Sequence, residues 1–575
     1  MPRPVPPPPD PLLGPWRPTR FGAAAAPVGR LDPPGHHPGG PLAACLAAPV
    51  GPAEIAAAIP LGTLLAALRV GGEPNLPDPG ARALGVEPRG AVLLIDPHDP
   101  ARAEAAAALL PGAEAEAASL GLPLLLVRSP EAPRAAPPVL PDHPGARRVA
   151  ARLSPWTLLD AAASVHGAAE ETCLLALAAA RPAEGPLPGG AAPGTALAAL
   201  FARTRWTCPF SGRALPPEDA LHLLALWRLT EAQNRRVAIG LGIPGRDRRA
   251  LSALLAHGGG HPPLTRFAGD AISRARKTGG AIAIWSARAP AGFAAYCAGH
   301  GIPLLWVEDG IIGASGLVGE GARGRSYVLD PAGPQQDGAI RTALTALLAD
   351  GGFDAALLAR AARLRARIVA AAIARCGPDG GLPPRGASGR RRILVAGDAA
   401  DGAPRTPDGL GGMLDLLDRV RAENPEAEIL YAPGRRAEAL PRAALARLAD
   451  AVLPAGGIVP RPGAVDAVQC VGASLGFAAL LHGVPVVTWG HPFYAGWGLT
   501  EDRAPQPGRG VARSLDEVVA AALILTPRSL DPDTRLPCPP EILFDRLEGR
   551  PARGLPGRDP LGAVGRLLGG LIGRR

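Results

Sequence analysis

GVPVVTWGHPFYAGWGLTED, residues 483–502, concentrates aromatic side chains in a chain that is only 4% aromatic. They are Trp489, Phe493, Tyr494 and Trp497, together with the imidazole of His491. The apolar run Val484–Trp489 follows a Gly-x-Pro turn, which predicts a buried strand. Gly490 and Pro492 then interrupt the run, so the aromatic residues belong to the loop that leaves the strand. Such loops often carry binding groups because a rigid scaffold positions them. A packed aromatic corner is the alternative that the spacing leaves open.

The same succession of a short apolar run and a loop recurs along the chain. From about residue 90, such runs alternate with Ala-, Leu- and Arg-rich stretches of helical length, as at 218–236 and 355–374. This alternation predicts βαβ units and parallel sheets, and hence an α/β fold. The predicted strands are Ala91–Ile95, Pro123–Val127, Ala281–Trp285, Pro303–Val307, Ile393–Ala396, Glu428–Tyr431, Ala467–Val471 and Val484–Trp489.

The chain is too long for a single hydrophobic core, because its 575 residues exceed the usual domain size several-fold. A Gly/Pro/Arg linker at 377–391 separates two sets of βα units. We therefore predict two Rossmann-like lobes around one cleft. The predicted segments are a disordered or extended Pro-rich lead (1–55), a partial Rossmann-like unit (56–204), a first lobe (205–376), the linker, a second lobe (392–530) and a C-terminal tail (531–575).

A faint internal repeat supports the partial unit. AVLLIDPHDPARAEAAAALL, near residue 91, resembles the opening of the second lobe, RILVAGDAADGAP, near residue 392. SVHGAAEETCLLALAAARPA, 164–183, resembles CVGASLGFAALLHGVPVV, 470–487, at nearly the same offset of roughly 300 residues. Alanine-rich sequences also produce matches of this kind by composition alone. If the repeat is real, the first copy has lost the aromatic loop.

Bulk properties narrow the class of protein. The formal net charge is +9 and the basic residues are nearly all Arg, which suits carboxylate, phosphate or anionic lipid partners. No nucleic-acid-binding motif occurs, so we predict no nucleic-acid partner. The seven cysteines show no CxxC spacing, which argues against a zinc site or a disulfide framework and fits a reducing cytoplasm. The sequence contains no signal peptide and no apolar run of about 20 residues, so we predict a soluble or membrane-surface protein.

Two acids and a glycine follow the predicted strand at 303–307. Glu308 and Asp309 lie where ligands bind to parallel sheets, at the carboxyl end of a strand. One carboxylate can attack or act as a base, and Gly310 permits close approach of a substrate or of backbone. Because side chains alternate along a strand, Glu308 points to the other face and is predicted to be the more structural of the two acids. A simple N-cap for the next segment is the alternative.

A second candidate anion site lies in the second lobe. Ser474 and Gly476 open a predicted helix after a strand, and a helix N-terminus with a free hydroxyl can bind phosphate. A plain Ser N-cap needs the same residue. His491 can contact phosphate or make an ordinary loop hydrogen bond.

Four segments of the chain together resemble bacterial capsule polysaccharide biosynthesis and export proteins of the KpsC/LipB type. They are WVEDGIIGASGL, SLGFAALLHGVPVV, GHPFYAGWGLTED and the earlier CPFSGRALPPEDALHLLALWR. The resemblance covers about 205–530. It implies a GT-B-like retaining β-Kdo glycosyltransferase that takes Kdo from CMP-Kdo to a lipid-linked glycan, with no further cofactor and no metal. It implies a cytoplasmic protein at the inner face of the cytoplasmic membrane, next to capsule assembly proteins. Because larger members carry two transferase modules, residues 56–204 are then expected to be the remnant of a first module.

The resemblance also assigns roles. Asp309 is the expected catalytic carboxylate, with Glu308 beside it. Gly310, Ser474, Gly476, His491, Tyr494 and Trp497 are the expected donor-binding residues, with both aromatic rings lining the donor pocket and His491 contacting an anionic group.

Several positions depart from the family pattern. An Arg-Ser pair that commonly follows Glu-Asp-Gly is missing from IIGAS, a His-Pro segment is replaced in ILYAPGRRAEAL, and ASLGFAA lacks the usual Gln and Glu. A degenerate partner in capsule assembly, which binds glycan or nucleotide sugar without turnover, is therefore the alternative function. A transferase for another CMP-sugar is a third.

Overall fold

The computed structural model describes residues 29–31, 45–46, 49–70, 76, 78–97, 99–133, 135–168, 170–187, 192–257, 260–313, 326–335, 341–377, 379–386, 389–397, 412–434, 440–472 and 474–548. The chain divides into two compact units, one of residues 1–232 with 257–260 and one of 233–256 with 261–575. None of the helices in the described ranges combines the length and the apolar character needed to cross a bilayer.

The first unit contains a five-stranded parallel sheet with the strand order β4-β3-β2-β5-β6. Its central strand β2 is buried along its whole length, which explains why the sequence there is a continuous apolar run. The strands are β2 (Ala91–Asp96), β3 (Leu124–Arg128), β4 (Ala146–Val149), β5 (Ala162–His166) and β6 (Ala183–Glu184). The α-helices of this unit are α1 (Pro52–Ala67), α2 (Ala103–Ala107), α3 (Leu110–Leu120), α4 (Pro155–Ala161), α5 (Glu171–Ala178) and α6 (Pro193–Ala202).

A small antiparallel pair also belongs to the first unit. β1 (Gly29–Leu31) pairs with β7 (Thr204–Trp206). The predicted lead 1–55 therefore contributes a strand, and α1 already begins at Pro52. The rest of the lead lies largely outside the described residues. Helix α7 (Pro217–Asn234) runs from the first unit into the second.

The first lobe is built on a seven-stranded sheet with the order β20-β19-β12-β11-β10-β8-β9. Four strands, β9, β8, β10 and β11, are mutually parallel, and β12 is antiparallel to β11. These strands are β8 (Val237–Leu241), β9 (Leu264–Thr265), β10 (Ala281–Trp285), β11 (Leu304–Asp309) and β12 (Ser326–Asp330). The helices are α8 (Arg248–Leu254), α9 (Ala268–Thr278), α10 (Phe293–Gly299), α11 (Ala343–Asp350) and the long α12 (Ala355–Cys376).

The second lobe is a six-stranded, entirely parallel sheet with the order β15-β14-β13-β16-β17-β18. Numbered within the lobe this is 3-2-1-4-5-6, the order of a dinucleotide-binding Rossmann sheet. The strands are β13 (Arg392–Ala396), β14 (Glu428–Ala432), β15 (Ala451–Val452), β16 (Ala467–Cys470), β17 (Val486–Thr488) and β18 (Glu501–Asp502). The helices are α13 (Met413–Glu423), α14 (Arg442–Leu448) and α15 (Ser474–Leu481). The predicted α/β class with Rossmann-like sheets is confirmed.

The sheet of the first unit repeats this topology. Its order, numbered within the sheet, is 3-2-1-4-5, so within the described residues it matches the first five strands of the second lobe. The two sequence matches fall on equivalent elements: β2 corresponds to β13, and the β5–α5–β6 segment corresponds to β16–α15–β17. The faint repeat is therefore a repeat of strand order. Descent from a lost transferase module stays a prediction.

After the second lobe the chain returns to the first. Helix α16 (Leu515–Val519) and a π-helical turn, Ala520–Leu525, pack on α12, and β19 (Arg528–Leu530) and β20 (Pro537–Cys538) extend the seven-stranded sheet beyond β12. Helix α17 (Pro540–Glu548) follows. The predicted boundary at 530 and the tail 531–575 are thus wrong for residues 531–548, because strand pairing places them in the first lobe. Residues 549–575 lie outside the described residues.

Candidate functional site

The first-lobe edge is the place where β8, β10 and β11 end side by side. It comprises Arg246, Asp247, Arg288, Glu308 and Asp309. Side chains connect the three strand ends: the hydroxyl of Ser286 donates to the carbonyl of Val307 at 3.3 Å, and Nη1 of Arg288 donates to the carbonyl of Gly242 at 3.4 Å. Because the three strands are parallel, residues far apart in sequence meet here.

The two acids of β11 have different surroundings. Asp309 is exposed, whereas Glu308 is half-buried and its carboxylate accepts the backbone N–H of Gln335 at 2.6 Å. Burial raises the pKa of Glu308 to about 7, with smaller contributions from the charges of Asp330 and Asp309. The structure therefore leaves Asp309 accessible to a ligand and uses Glu308 to fix the chain at Gln335. The chemical roles predicted for both remain predictions.

Gly310 lies where the neighbouring strand comes closest. Its N–H donates to the carbonyl of Ser326 at 2.7 Å, and a Cβ at this position would lie 2.2 Å from the Ser326 hydroxyl. The sequence allowed close approach of either a substrate or backbone to Gly310. The structure shows the backbone of β12 in this place. Packing against β12 thus accounts for a glycine here, and the expected donor contact of Gly310 stays a prediction.

Asp247 is a member of the edge that the sequence did not single out. It ends a 3₁₀ turn, Gly245–Asp247, just beyond β8, and is fully buried. Its Oδ2 lies 3.3 Å from Nε of Arg246. Burial and then the charge of Asp309 raise the pKa of Asp247 to about 7, against the opposing charges of Arg246 and Arg288. A lone Asp in PGRDRR carries no motif, so only the strand order could reveal this proximity.

In the second lobe the aromatic loop is packed inward. Tyr494 and Trp497 have no exposed surface; the Trp497 indole N–H donates to the carbonyl of Phe493 at 2.8 Å, and the Tyr494 hydroxyl lies 3.3 Å from Sγ of Cys470. Phe477 stacks on Tyr494 with ring centroids 5.9 Å apart. The expectation that these two rings line the donor pocket is therefore wrong for the described structure, because neither ring has a face open to a ligand. The packed-corner alternative is what the structure shows.

Gly476 and Ser474 lie at the start of α15, beneath this corner. Gly476 is buried, and a Cβ there would lie 2.3 Å from the Tyr494 hydroxyl and 2.8 Å from Sγ of Cys470. Its glycine is thus required by the tyrosine rather than by a donor phosphate. Ser474 is the first residue of α15 and is partly exposed, so its predicted contact with an anion stays a prediction.

Three polar residues that the sequence did not single out hold the aromatic loop. Asp502 accepts hydrogen bonds from the Gly496 N–H at 2.8 Å and from two threonine hydroxyls at 2.7 Å. Gln506 donates to the carbonyl of Gly490 at 2.8 Å. Nη1 of Arg509 donates to the carbonyls of Pro492 and Ala495 at 2.5 and 3.0 Å. The loop is therefore a fixed structure rather than an open flap.

His491, at the start of this loop, is partly exposed. Its Nδ1 lies 3.3 Å from Oε1 of Gln506, which orients the imidazole. Of the donor-binding residues predicted in the second lobe, His491 and Ser474 are the two that keep exposed surface. The prediction that Asp309 and His491 line one cleft stays a prediction.

The carboxyl edge of the first unit's sheet carries polar groups that bond to one another. The Ser129 hydroxyl donates to Glu170 at 2.7 Å, His166 lies 2.7 Å from Glu116, and Asp96 accepts two backbone N–H groups and a guanidinium N–H. Four of these groups, Asp96, Ser129, His166 and Glu170, are buried. That this unit carries no catalytic site stays a prediction.

Residues 463–527 match the family described as capsule polysaccharide biosynthesis protein. The lipopolysaccharide-processing protein LpsZ of Rhizobium meliloti is 35% identical over 248 residues, which cover 40% of this chain and 56% of LpsZ. The capsule polysaccharide modification protein LipA of Neisseria meningitidis serogroup B is 31% identical over 247 residues, which cover 41% of this chain and 34% of LipA. The chain thus matches about half of LpsZ and a third of LipA.

Two solved structures of Thermosulfurimonas dismutans KpsC also resemble the chain. The beta Kdo 2,7 transferase has a TM-score of 0.41 and 24% identity, over 54% of this chain and 98% of that one. The beta Kdo 2,4 transferase has a TM-score of 0.36 and 25% identity, over 47% and 87%.

The family match spans β17, the aromatic loop and the three residues that hold it. The resemblance inferred from this loop is thereby confirmed: residues 463–527, which include the loop, are similar to capsule polysaccharide biosynthesis proteins.

Proposed function

We propose that the protein is a glycosyltransferase of capsular polysaccharide biosynthesis that transfers Kdo from CMP-Kdo to a lipid-linked glycan acceptor. The observation that carries the proposal is the exposed carboxylate of Asp309 at the carboxyl end of a parallel strand, in a chain whose residues 463–527 match a capsule biosynthesis family. The sugar and its nucleotide come from the motif resemblance. The acceptor would place the enzyme at the inner membrane surface.

Asp309 is the proposed reacting group. In a retaining transfer, its carboxylate forms a bond to the anomeric carbon while the bond from that carbon to the CMP phosphate breaks and CMP leaves. An acceptor hydroxyl then loses its proton to a base and displaces Asp309, and the two inversions restore the configuration. Deprotonation of the acceptor by Asp309 is the alternative role of the same carboxylate. Glu308, whose carboxylate is bonded to the Gln335 N–H, acts as a positioning group.

His491 is the proposed contact to an anionic group of the donor. Its imidazole is oriented by Gln506 and is partly exposed, on a loop whose backbone is fixed by Arg509 and Asp502. Removal of the imidazole should weaken donor binding more than it slows the chemical step.

A non-catalytic role in capsule assembly is the second candidate. The specific observation in its favour is that Gly476, Tyr494 and Trp497, three expected donor contacts, are buried. The missing family residues after Glu-Asp-Gly and in the altered nucleotide segment point the same way. A protein of this kind would bind glycan or nucleotide sugar without releasing CMP.

The decisive experiment measures CMP release by the full-length protein from CMP-Kdo, with a synthetic Kdo-lipid acceptor. We expect Asp309→Asn to reduce turnover by about 10³-fold or more, because it removes the attacking carboxylate while keeping its shape. Asp418→Asn, an equally exposed acid on α13, is the matched control and should retain turnover. Wild-type turnover by Asp309→Asn would refute the assignment. A wild type inactive with every CMP-sugar would establish the non-catalytic candidate.

A further inference from the structure

The chemistry of the proposed donor creates an electrostatic problem at Asp309. In Kdo, a 2-ulosonic acid, the carboxylate is bonded directly to the anomeric carbon. A donor placed for attack by Asp309 therefore brings its own carboxylate next to that of the enzyme. Two like charges about 4 Å apart repel by about 1 kcal/mol in water and about 4 kcal/mol near a protein surface. A site for such a sugar needs a cation beside the attacking acid.

The first-lobe edge supplies two such cations. Arg246 lies just after β8 and Arg288 just after β10, the strand that separates β8 from β11. The charges of both, and that of Asp309, act on the same buried carboxylate, Asp247. Arg246, Arg288 and Asp309 therefore each lie within electrostatic range of Asp247, at one edge of one sheet.

Both guanidinium groups are held in place and still have donors to offer. Arg246 is 48% exposed and is tethered by Asp247 at 3.3 Å. Arg288 is exposed, and one of its N–H groups donates to the carbonyl of Gly242 at 3.4 Å. A guanidinium has five N–H donors, so each keeps several for a ligand, and a carboxylate can accept two of them in parallel.

We propose that Arg246 and Arg288 form a carboxylate-binding subsite that takes the acid group on the anomeric carbon of the donor sugar, with Asp247 as the buried tether of Arg246. The inference rests on the proposed function and deepens it.

Other cations on the adjacent helix serve as comparison. Arg248 directs one N–H to the carbonyl of Leu264 at 3.0 Å, and Arg249 is exposed one residue further along α8. Arg249→Gln is thus the matched control, because it removes the same charge from the same surface without touching the subsite.

The test compares two donors that differ only in the acid group: CMP-Kdo and its C1 carboxamide analogue. We expect the double variant Arg246→Gln/Arg288→Gln to lower kcat/KM for CMP-Kdo by about tenfold or more, the loss typical of a charge-assisted hydrogen bond. The same variant should change kcat/KM for the carboxamide less than about threefold. Arg249→Gln should change neither. An equal loss with both donors, or an equal loss in Arg249→Gln, would overturn the subsite.

A second measurement keeps the subsite testable if the wild type releases no CMP. Equilibrium binding of free Kdo and of its C1 carboxamide can then be compared for the wild type and the double variant. The wild type should prefer the acid by about tenfold, and the double variant should lose that preference while keeping its thermal unfolding midpoint within a few degrees. Equal binding of acid and amide by the wild type would reject the subsite, independently of whether the protein is an enzyme.

Discussion

Replacement of Gly476 by Ala tests whether the aromatic corner is a packed core or a donor pocket. The added methyl would lie 2.3 Å from the Tyr494 hydroxyl, 2.8 Å from Sγ of Cys470 and 3.0 Å from Cζ of the tyrosine. Overpacking of this kind costs about 1–3 kcal/mol, and three such contacts favour the upper end. Alanine regains about 1 kcal/mol of helix propensity over glycine. The net expected loss of unfolding free energy is about 2 kcal/mol.

Thermal unfolding followed by tryptophan fluorescence should show this loss as a fall in Tm of about 4–8 °C, given roughly 2–4 °C per kcal/mol. Gly269→Ala is the matched control, because Gly269 lies near the start of α9 with no atom within 4 Å of its Cβ position. It should raise Tm slightly. Tyr494→Phe removes the atom nearest to the new methyl, so the double variant should recover about 1 kcal/mol relative to the sum of the two single changes.

Two results would refute this reasoning. If Gly476→Ala is as stable as the Gly269→Ala control, the tyrosine does not pack against α15 as described. If Tyr494→Phe leaves Tm unchanged but raises KM for the donor several-fold, the hydroxyl contacts the donor and the pocket interpretation is restored.

Three further changes have clear expectations. Burial raises the pKa of Asp247 from an ordinary 3.8 to about 7, so the folded protein retains a proton that the unfolded chain releases, and stability falls as pH rises through this window. In urea titrations at pH 5 and 7, Asp247→Asn should remove up to about 1.4 kcal/mol of that fall per pH unit. Identical pH dependence of the unfolding free energy in the variant and the wild type would contradict this expectation. Gly310→Ala brings a methyl to 2.2 Å from the Ser326 hydroxyl and should lower Tm by several degrees, with partial recovery in Gly310→Ala/Ser326→Gly. Glu428→Gln leaves the buried guanidinium of Arg392 without its two 2.9 Å carboxylate contacts. The unfolding free energy measured by chemical denaturation should fall by about 3 kcal/mol. A fall below about 1 kcal/mol would show that the pair is not buried.

The sequence predicts the central strands well and the edge strands poorly. Ala281–Trp285 was predicted with the observed bounds, because a parallel strand buried on both faces must be a continuous apolar run. β12 and β19, SYVLD and RSL, contain Ser, Arg and Asp and do not stand out as apolar runs. Their place in the sheet is set by antiparallel pairing between segments about 200 residues apart. No local pattern reports that pairing.

The candidate site divides in the same way. The place of Asp309 at an exposed strand end can be predicted from the sequence, because an apolar run and a following glycine are local features. Asp247 was missed because its neighbour Asp309 is 62 residues away and the two meet only through the order β8-β10-β11. The aromatic loop was located correctly and its side chains misinterpreted, since rings next to glycines suit a ligand pocket and a close-packed corner equally well. The close approach of Gly476 to Tyr494 decides between the two.

The return of the chain to the first lobe has a consequence for the order of events during synthesis. The ribosome makes the first-lobe strands β8 to β12 before it makes the second lobe, but the outer partner of β12 is β19, which begins at Arg528. Until that residue emerges, the hydrogen-bonding edge of β12 has no strand to cover it, and unpaired edges favour association with other chains. The second lobe, whose six strands all lie between Arg392 and Asp502, can close first. We expect nascent chains stalled before Arg528 to hold a native second lobe beside a first lobe that still binds chaperones.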